Sequence, residues 1–467
     1  MAPLFILITS AVAHFWNFGF PASIVFDEVY FGRFVADYWH GTYFFDVHPP
    51  LSRLLIAIFG KLTSIDQIPT EWLAVGGDLS PAMTALRFLP TLAGTLLPVV
   101  IYFICRNFKF SKVSSAVAAL LICFENSLLV HSRFIMQESM LILFGFLAIL
   151  FYQKYKIDGK KGWFALSAVF IACSISSKWI GLSYLAVIIV LEAWDQMHKH
   201  GVAHRIRRSI VELIKVGSIY LAFIAVIYSS SFALHFALLP KTGSGDGFMT
   251  PGFQKTLTGN RYENDQLLST PNFFEKLIEI NKQLYLSQKS ITTAHPSGTK
   301  WYTWPIMQRG VYLWHNNDWS AREEKNELYI LGNPPIYWLG TLSIVFLIIY
   351  TMWLAIRRFK KRAWATVDPD KNKLLLFLLF GYLMNLLPYL FIGRTLFLYH
   401  YETALVFSII AIAAVLEYFC PTEKRTRVAI VLVTTAFLIF LYFSPLTYGT
   451  PITPKELDKR MWLSTWR

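Results

Sequence analysis

Residues 335–356 read PIYWLGTLSIVFLIIYTMWLAI, an apolar run without Asp, Glu, Lys or Arg, and Arg357, Arg358, Lys360, Lys361 and Arg362 follow it at once. A helix needs about 20 such residues to cross the hydrocarbon core of a bilayer, where the backbone must satisfy its own hydrogen bonds. The stretch therefore reads as a transmembrane helix with a basic flank on its cytoplasmic side. Runs of the same kind recur at about 3–20, 87–105, 113–131, 138–153, 162–177, 179–195, 209–237, 374–393, 401–418 and 427–444. The pattern predicts an all-α integral membrane fold of about eleven spans, the fifth and sixth separated only by Ser177 and Lys178.

Composition excludes an ordinary soluble protein: 55% of the 467 residues are hydrophobic, only 15% are charged, and the mean hydropathy is +0.45. The formal net charge of +14 does not mark a nucleic-acid surface, because the basic residues sit in short clusters between apolar runs. Those clusters are Arg106 to Lys112, Lys154 to Lys161, His198 to Arg208, Arg357 to Lys373 and Lys424 to Arg427. They alternate with loops poor in positive charge, which places the amino terminus in the cytoplasm and the carboxyl terminus outside. Cys105, Cys123, Cys173 and Cys420 show no paired or metal-type spacing, so neither a disulfide framework nor a structural zinc is expected. The run Ala11 to Ala13 resembles a signal cleavage site, but nothing basic precedes it, and the first segment is expected to stay in place.

Two outer segments, 21–86 and 238–334, are too long for simple connections. Both mix aromatic and charged residues, which predicts amphipathic helices on the membrane surface. The chain thus divides into an amino-terminal membrane module over 1–237, the outer loop 238–334, and a carboxy-terminal membrane module over 335–467.

Candidate chemistry gathers on the outer side. Asp27 and Glu28 follow an apolar run at the membrane boundary, where a lipid-borne head group would arrive, and the pair reads either as a general base tuned by burial or as a helix cap. Asp46 and His48 adjoin Pro49-Pro50, which rigidifies the backbone; as metal ligands they lack an obvious third partner. Arg87, Arg133 and Arg394 all fall at outer helix ends. Each guanidinium either snorkels to the interface or joins a site that holds a phosphate through its planar fork. Lys178, Glu138 and Glu402 carry the same two readings.

These blocks together resemble the protein O-mannosyltransferases of the GT-C superfamily. The resemblance rests on Phe26-Asp27-Glu28-Val29-Tyr30-Phe31-Gly32, Thr42 to Leu51, Arg87 with Gly94, Thr95 and Pro98, His131-Ser132-Arg133-Phe134, and Ser177 to Leu182. It continues through Lys300-Trp301-Tyr302-Thr303-Trp304-Pro305, Leu331 to Pro334, Leu387-Pro388-Tyr389, Gly393-Arg394 and Phe397 to Tyr401. It implies transfer of mannose from a polyprenyl-phosphate-mannose lipid to Ser or Thr hydroxyls of acceptor proteins, with inversion. It also implies Asp27 as base, Glu28 orienting substrate, Arg87 as leading phosphate ligand with Arg133, Arg394 and His400, and substrate contacts from Asp46, His48, Lys178, Trp301 and Tyr302. Cationic side chains suffice to stabilise the leaving phosphate, so no metal is assigned and a divalent-ion requirement is left open. Tyr399 stands where the family's His-His-Tyr has its first histidine. Residues 238–334 are too short for the large β-trefoil domain of eukaryotic members, so the resemblance is to a bacterial-type member, or a divergent one, and a plasma membrane is the expected home. Two rivals stand beside this reading: another GT-C transferase with a lipid or glycan acceptor, and a transporter, against which the polar residues gather at helix ends rather than at midplane.

Overall fold

Backbone amides in hydrocarbon have no water to bond, and the apolar runs answer with helices. The computed structural model describes residues 1–63, 74–79, 84–199, 205–316, 324–361 and 368–467. The long segments 21–86 and 238–334 and the basic clusters His198 to Arg208 and Arg357 to Lys373 lie partly outside the described residues. In chain order, α1 (Ala2–Phe15), α2 (Glu28–His40) and α3 (Leu51–Leu62) precede α4 (Phe88–Asn107), α5 (Lys112–Cys123), α6 (Asn126–Ser132) and α7 (Glu138–Asp158). Then come α8 (Lys161–Ser177), α9 (Leu182–Lys199), α10 (Arg205–Leu238), α11 (Phe273–Ser290), α12 (Pro334–Lys361), α13 (Pro369–Leu386), α14 (Glu402–Phe419) and α15 (Thr422–Tyr448).

Among the described residues eight helical stretches are long and apolar enough to cross a membrane, and nine if the pair α5 and α6, bent by 57°, counts as one span. The expected count of about eleven is not reached, because α1 has 14 residues and α8 has 17. At 1.5 Å per residue these rise about 21 and 26 Å, short of a hydrocarbon core of about 30 Å. The break between α5 and α6 is built, not frayed: Glu125 caps α6 by accepting from Leu128 N at 2.8 Å and also accepts from Asn333 N at 2.7 Å. Helical structure is not universal either, since Val311–His315 and Glu327–Ile330 pair as a two-stranded antiparallel ribbon in the second long segment.

The span that contains α14 lies at the centre of the bundle, with 78% of its most apolar window buried, while the span of α10 lies at its edge with 6% buried. Small residues let the helices close on one another, as expected where lipid supplies no hydrophobic drive. A Cβ on Gly145 of α7 would lie 2.4 Å from the ring of Tyr184 on α9, and one on Gly381 of α13 would lie 2.2 Å from Phe407 on α14. The described residues of the basic clusters collect at one end of the bundle. Ion pairs tie them to acids there: Lys156 to Glu192 at 2.8 Å, Lys373 to Asp195 at 2.6 Å, Arg425 to Glu417 at 3.0 Å, and Lys109 to Asp370. The long segments and all the candidate residues sit at the other end.

Gly145→Val therefore forces α7 off Tyr184. Overpacking of this kind costs about 1–3 kcal/mol. Thermal unfolding in detergent should show a lower midpoint, and an unchanged midpoint would mean that the two helices do not meet here.

Candidate active site

The first long segment would be a loose loop without one buried cation. Arg87, at the turn that leads into α4, has no solvent exposure, nor has Glu28 in the first turn of α2. Arg87 Nε donates to Glu28 Oε1 at 2.8 Å and Nη2 to Oε2 at 2.7 Å. The other guanidinium hydrogens go to the carbonyls of Gly19 at 3.0 Å, Pro21 at 2.9 Å and Ser23 at 2.8 Å. That uses all five donors a guanidinium owns. Glu28 in turn accepts from Val25 N and Ile135 N, each at 2.9 Å. The expectation of Arg87 as a phosphate ligand thus meets a side chain with no N–H to spare, and Glu28 meets the same objection as a substrate contact.

The clamp positions Asp27. Phe26, immediately before it, holds φ at +47°, a left-handed conformation that costs a non-glycine residue free energy and persists where surroundings impose it. Asp27 caps α2 by position, yet its carboxylate accepts no backbone bond. It makes no hydrogen bond or ion pair with any described residue. Burial pushes its pKa up to about 7; Glu138 and Asp46 push it in the same direction, while His131 and Lys178 pull against them. A carboxyl group so placed is half ionised near neutrality, as a general base requires.

Asp46 and His48 lie beside it, held by a residue that the sequence did not single out. Arg53, on α3 and 2% exposed, pairs with Asp46 and donates to the carbonyls of His48 at 2.6 Å and Pro49 at 3.0 Å. Burial raises the pKa of Asp46, against the pull of Arg53. His48 is held well below its usual range by burial and then by the nearby cations Lys178 and Arg394, so it is neutral, and its Nδ1 has no partner.

Four helix ends converge behind Asp27. Lys178, extended between α8 and the turn before α9, donates to Glu138 at 3.0 Å. Glu138 opens α7 and lies 3.5 Å from His131 Nε2, whose Nδ1 is 2.8 Å from Glu402 at the start of α14. Helix amino termini favour both carboxylates. Ammonium, carboxylate, imidazole and carboxylate follow one another along this row, and two of the three ammonium hydrogens of Lys178 remain for a ligand. His131 was visible in the sequence only inside a motif, with no role of its own.

Arg394 differs from the other arginines. Its recorded bond joins Nη2 to His400 Nε2 at 3.0 Å, and its Nε is buried without a partner. A guanidinium only donates, so Nε2 accepts from Arg394, while Nδ1 lies 3.1 Å from the carbonyl oxygen and 3.2 Å from the amide nitrogen of Phe397. His400 therefore holds Arg394 and is not itself placed to donate to a phosphate through Nε2. Its ring lies in a parallel stack with Tyr399 at 4.5 Å and Trp304 at 5.9 Å. The residue of this motif that packs on His400 is Trp304, not Trp301 or Tyr302, which were expected to meet the substrate. Those two pack on each other at 5.8 Å, with Tyr302 57% exposed, whereas Trp304 is fully buried three residues on. In the 3₁₀ helix Trp301–Ile306 that spacing sets Trp304 on the same side as Trp301, which was the available signal. Tyr399, in the histidine's place, also meets His131 at 5.2 Å and lies 5.9 Å from the ammonium of Lys178.

Arg133 stays outside the cluster. It donates to the carbonyls of His14 and Trp16 at 2.7 Å and Asn17 at 3.0 Å, and lies over the Tyr448 ring at 4.8 Å. It closes the carboxyl end of α1, where a cation is favoured. Among the described residues no three His, Cys, Asp or Glu side chains are arranged to hold a metal ion.

Residues 4–240 match the family model described as dolichyl-phosphate-mannose-protein mannosyltransferase, and residues 273–466 match the C-terminal four TMM region of protein-O-mannosyltransferase. Protein O-mannosyltransferase 1 of Drosophila melanogaster is 32% identical over 256 residues, 52% of this chain and 28% of the relative. Dolichyl-phosphate-mannose–protein mannosyltransferase 4 of Candida albicans is 30% identical over 272 residues, 54% of this chain and 35% of the relative. The matched parts thus amount to about a third of these relatives' lengths. In fold, the chain is similar to the S. cerevisiae Pmt1-Pmt2 complex bound to the sugar donor, with a TM-score of 0.86 and 18% identity over 100% of this chain and 92% of that one. The apo oligosaccharyltransferase of Archaeoglobus fulgidus is a more distant match, with a TM-score of 0.51 and 13% identity over 99% of this chain and 57% of that one.

Arg87→Lys tests the clamp. Lysine keeps the charge but cannot span five acceptors, and weakening a buried pair in this way costs about 3 kcal/mol. The thermal midpoint should fall, while the folded fraction still binds polyprenyl-phosphate-mannose. A variant as stable as wild type that has lost donor binding would return Arg87 to the phosphate.

Proposed function

The chain belongs to the protein O-mannosyltransferase family, and from that premise we propose that it moves mannose from polyprenyl-phosphate-mannose to Ser or Thr hydroxyls of acceptor proteins. The observation that carries the reading is Asp27: an unpartnered carboxylate with its pKa near 7, near Lys178, in a site where Lys178 and Arg394 both act on His48 and have donors to spare. In the proposed step Asp27 takes the proton of the acceptor hydroxyl as its oxygen attacks the anomeric carbon from the face opposite the phosphate. The bond from carbon to phosphate oxygen breaks, and the electron pair leaves on polyprenyl phosphate. Inversion follows from this single displacement. Lys178 and Arg394 receive the developing negative charge, Arg394 through a fork suited to two phosphate oxygens.

The other residues act at one remove. Glu28 and Arg87 fix the backbone that carries Asp27, Arg53 fixes the loop of Asp46 and His48, and His400 fixes Arg394. Asp46 and His48 are the side chains best placed to meet the sugar. Site residues come from both the 1–237 and the 335–467 modules, and the 238–334 segment supplies Trp304 behind His400. The gathering of basic residues at the end away from the site supports an amino terminus in the cytoplasm and a site on the extracytoplasmic face of the membrane.

Asp27→Asn retains the shape and cannot accept a proton. Peptide mannosylation should fall by about 10² to 10⁴ in kcat, with donor binding kept. In the wild type kcat/KM should rise with pH through about 7, since the base works only when ionised and burial has raised its pKa to that region. The residual activity of the variant should lack that step. A fully active Asn variant, or a profile with the same step in both proteins, would remove Asp27 from the reaction.

A further inference from the structure

Helix α11 carries an apolar stripe that faces away from the protein. Phe274, Ile278 and Tyr285, spaced four and seven residues apart and so on one helical face, are 68%, 69% and 51% exposed. Lys282 and Lys289 extend the same face, and the Lys289 ammonium lies 4.5 Å from the centre of the Tyr285 ring. The opposite face packs inward through Ile280 and Leu284, which are 3% and 0% exposed.

The partner of the outward stripe follows from where α11 runs. Phe273 meets Phe236 of α10 with ring centroids 6.3 Å apart, and Asn281 bonds the hydroxyl of Tyr228, also on α10. Eight residues separate the contacts on each helix, with opposite sense. The two helices therefore run antiparallel over about 12 Å. Helix α10 ends at Leu238, and its apolar span Ser209–Leu238, with only 6% of its window buried, forms a lipid-facing edge of the bundle. Thirty helical residues measure about 45 Å against a hydrocarbon core of about 30 Å, so Tyr228, about 15 Å from the helix end, lies below the level of the lipid head groups. The carboxyl end of α11 returns to the site: Gln288 in its last turn donates to the carbonyl of Val47, between Asp46 and His48, and Ile291 just after it accepts from the backbone of Thr395, next to Arg394.

We propose that α11 dips into the leaflet on the site side, with Phe274, Ile278 and Tyr285 among the acyl chains and Lys282 and Lys289 at the lipid phosphates, and so ties the two loops of the site to the membrane surface. The geometry matches that of interfacial amphipathic helices, in which apolar anchors and flanking lysines act together. The tie to the loops rests on the mannosyl-transfer reading; the insertion does not.

Spin labels at Ile278→Cys and, as control, Lys300→Cys test the insertion in full-length protein whose four native cysteines are serine, reconstituted in nanodiscs of phosphatidylcholine and phosphatidylglycerol. The label at 278 should relax with oxygen in preference to a water-soluble nickel chelate, and the label at 300 should do the reverse. Preference for nickel at 278, or protection from both reagents by a protein partner, would overturn the proposal. The functional arm uses Phe274→Ser with Ile278→Ser. The apparent KM for long-chain polyprenyl-phosphate-mannose in vesicles should rise about fivefold or more, while a short-chain water-soluble donor in detergent is used as by the wild type. Equal effects on both donors, or on neither, would break the tie between leaflet and site. If the label at 278 is inserted but the wild type transfers no mannose, the insertion stands and the mannosyl-transfer reading falls.

Discussion

A charge with no access to water must be answered completely or the structure around it fails, and the Arg87–Glu28 pair is answered completely. Five guanidinium donors meet two carboxylate oxygens and three carbonyls, and the carboxylate takes two further backbone amides. Removing either partner leaves the other buried and unpaired, a cost of several kcal/mol. The consequence reaches beyond stability. Because the pair occupies the carbonyls of residues 19, 21 and 23 and the amide of Ile135, it sets the entry to α2 relative to α4 and α7. Asp27 can then stand without a partner of its own and face Glu138, His131 and Lys178.

The division of labour within the site follows the same rule. Arg87 has spent every donor, and Arg133 and Arg53 each turn Nη1 and Nη2 to carbonyls or to Asp46 and Gln137 while Nε stays unpaired; Lys178 and Arg394 instead keep donors on the ammonium and guanidinium ends that reach into the site. Net charge alone does not separate these groups, since all lie at the same end of the bundle. What their terminal nitrogens already hold does. His400 shows the principle in an imidazole, with Nε2 accepting from Arg394, Nδ1 against the backbone of Phe397, and its ring fixed in the stack with Trp304 and Tyr399.

Much of this was legible in the sequence, and the pattern of what was not is physical. Apolar runs are local, so most of the apolar helices from α4 to α15 fall where the hydropathy puts them, and α8 ends at Ser177 as expected. The exceptions are α1, which stops at Phe15, and the run 113–131, which is broken between α5 and α6. The adjacent acids at 27 and 28 were identified as a pair, but sequence alone could not tell which is free and which is spent. That depends on a contact across 59 residues to Arg87. Arg53 hid inside an amphipathic helix, and Glu402 and His131, 271 positions apart, gave no local sign of bonding each other. Two-strand pairing at Val311–His315 was likewise too short to stand out in a chain dominated by helical signals.

The central claim is a single displacement at the anomeric carbon, driven by one carboxylate base and relieved by two cations. The stereochemistry of the product tests it most directly. Purified protein, β-linked polyprenyl-phosphate-mannose and a short Ser/Thr peptide should yield a peptide heavier by one hexose, with the sugar shown by NMR to be the α-mannoside from the first turnover. A β-mannoside would require two displacements, with a carboxylate of the site attacking the anomeric carbon instead of taking a proton, and would contradict the account; an unmodified peptide beside a mannosylated lipid or glycan would assign the site to a different acceptor.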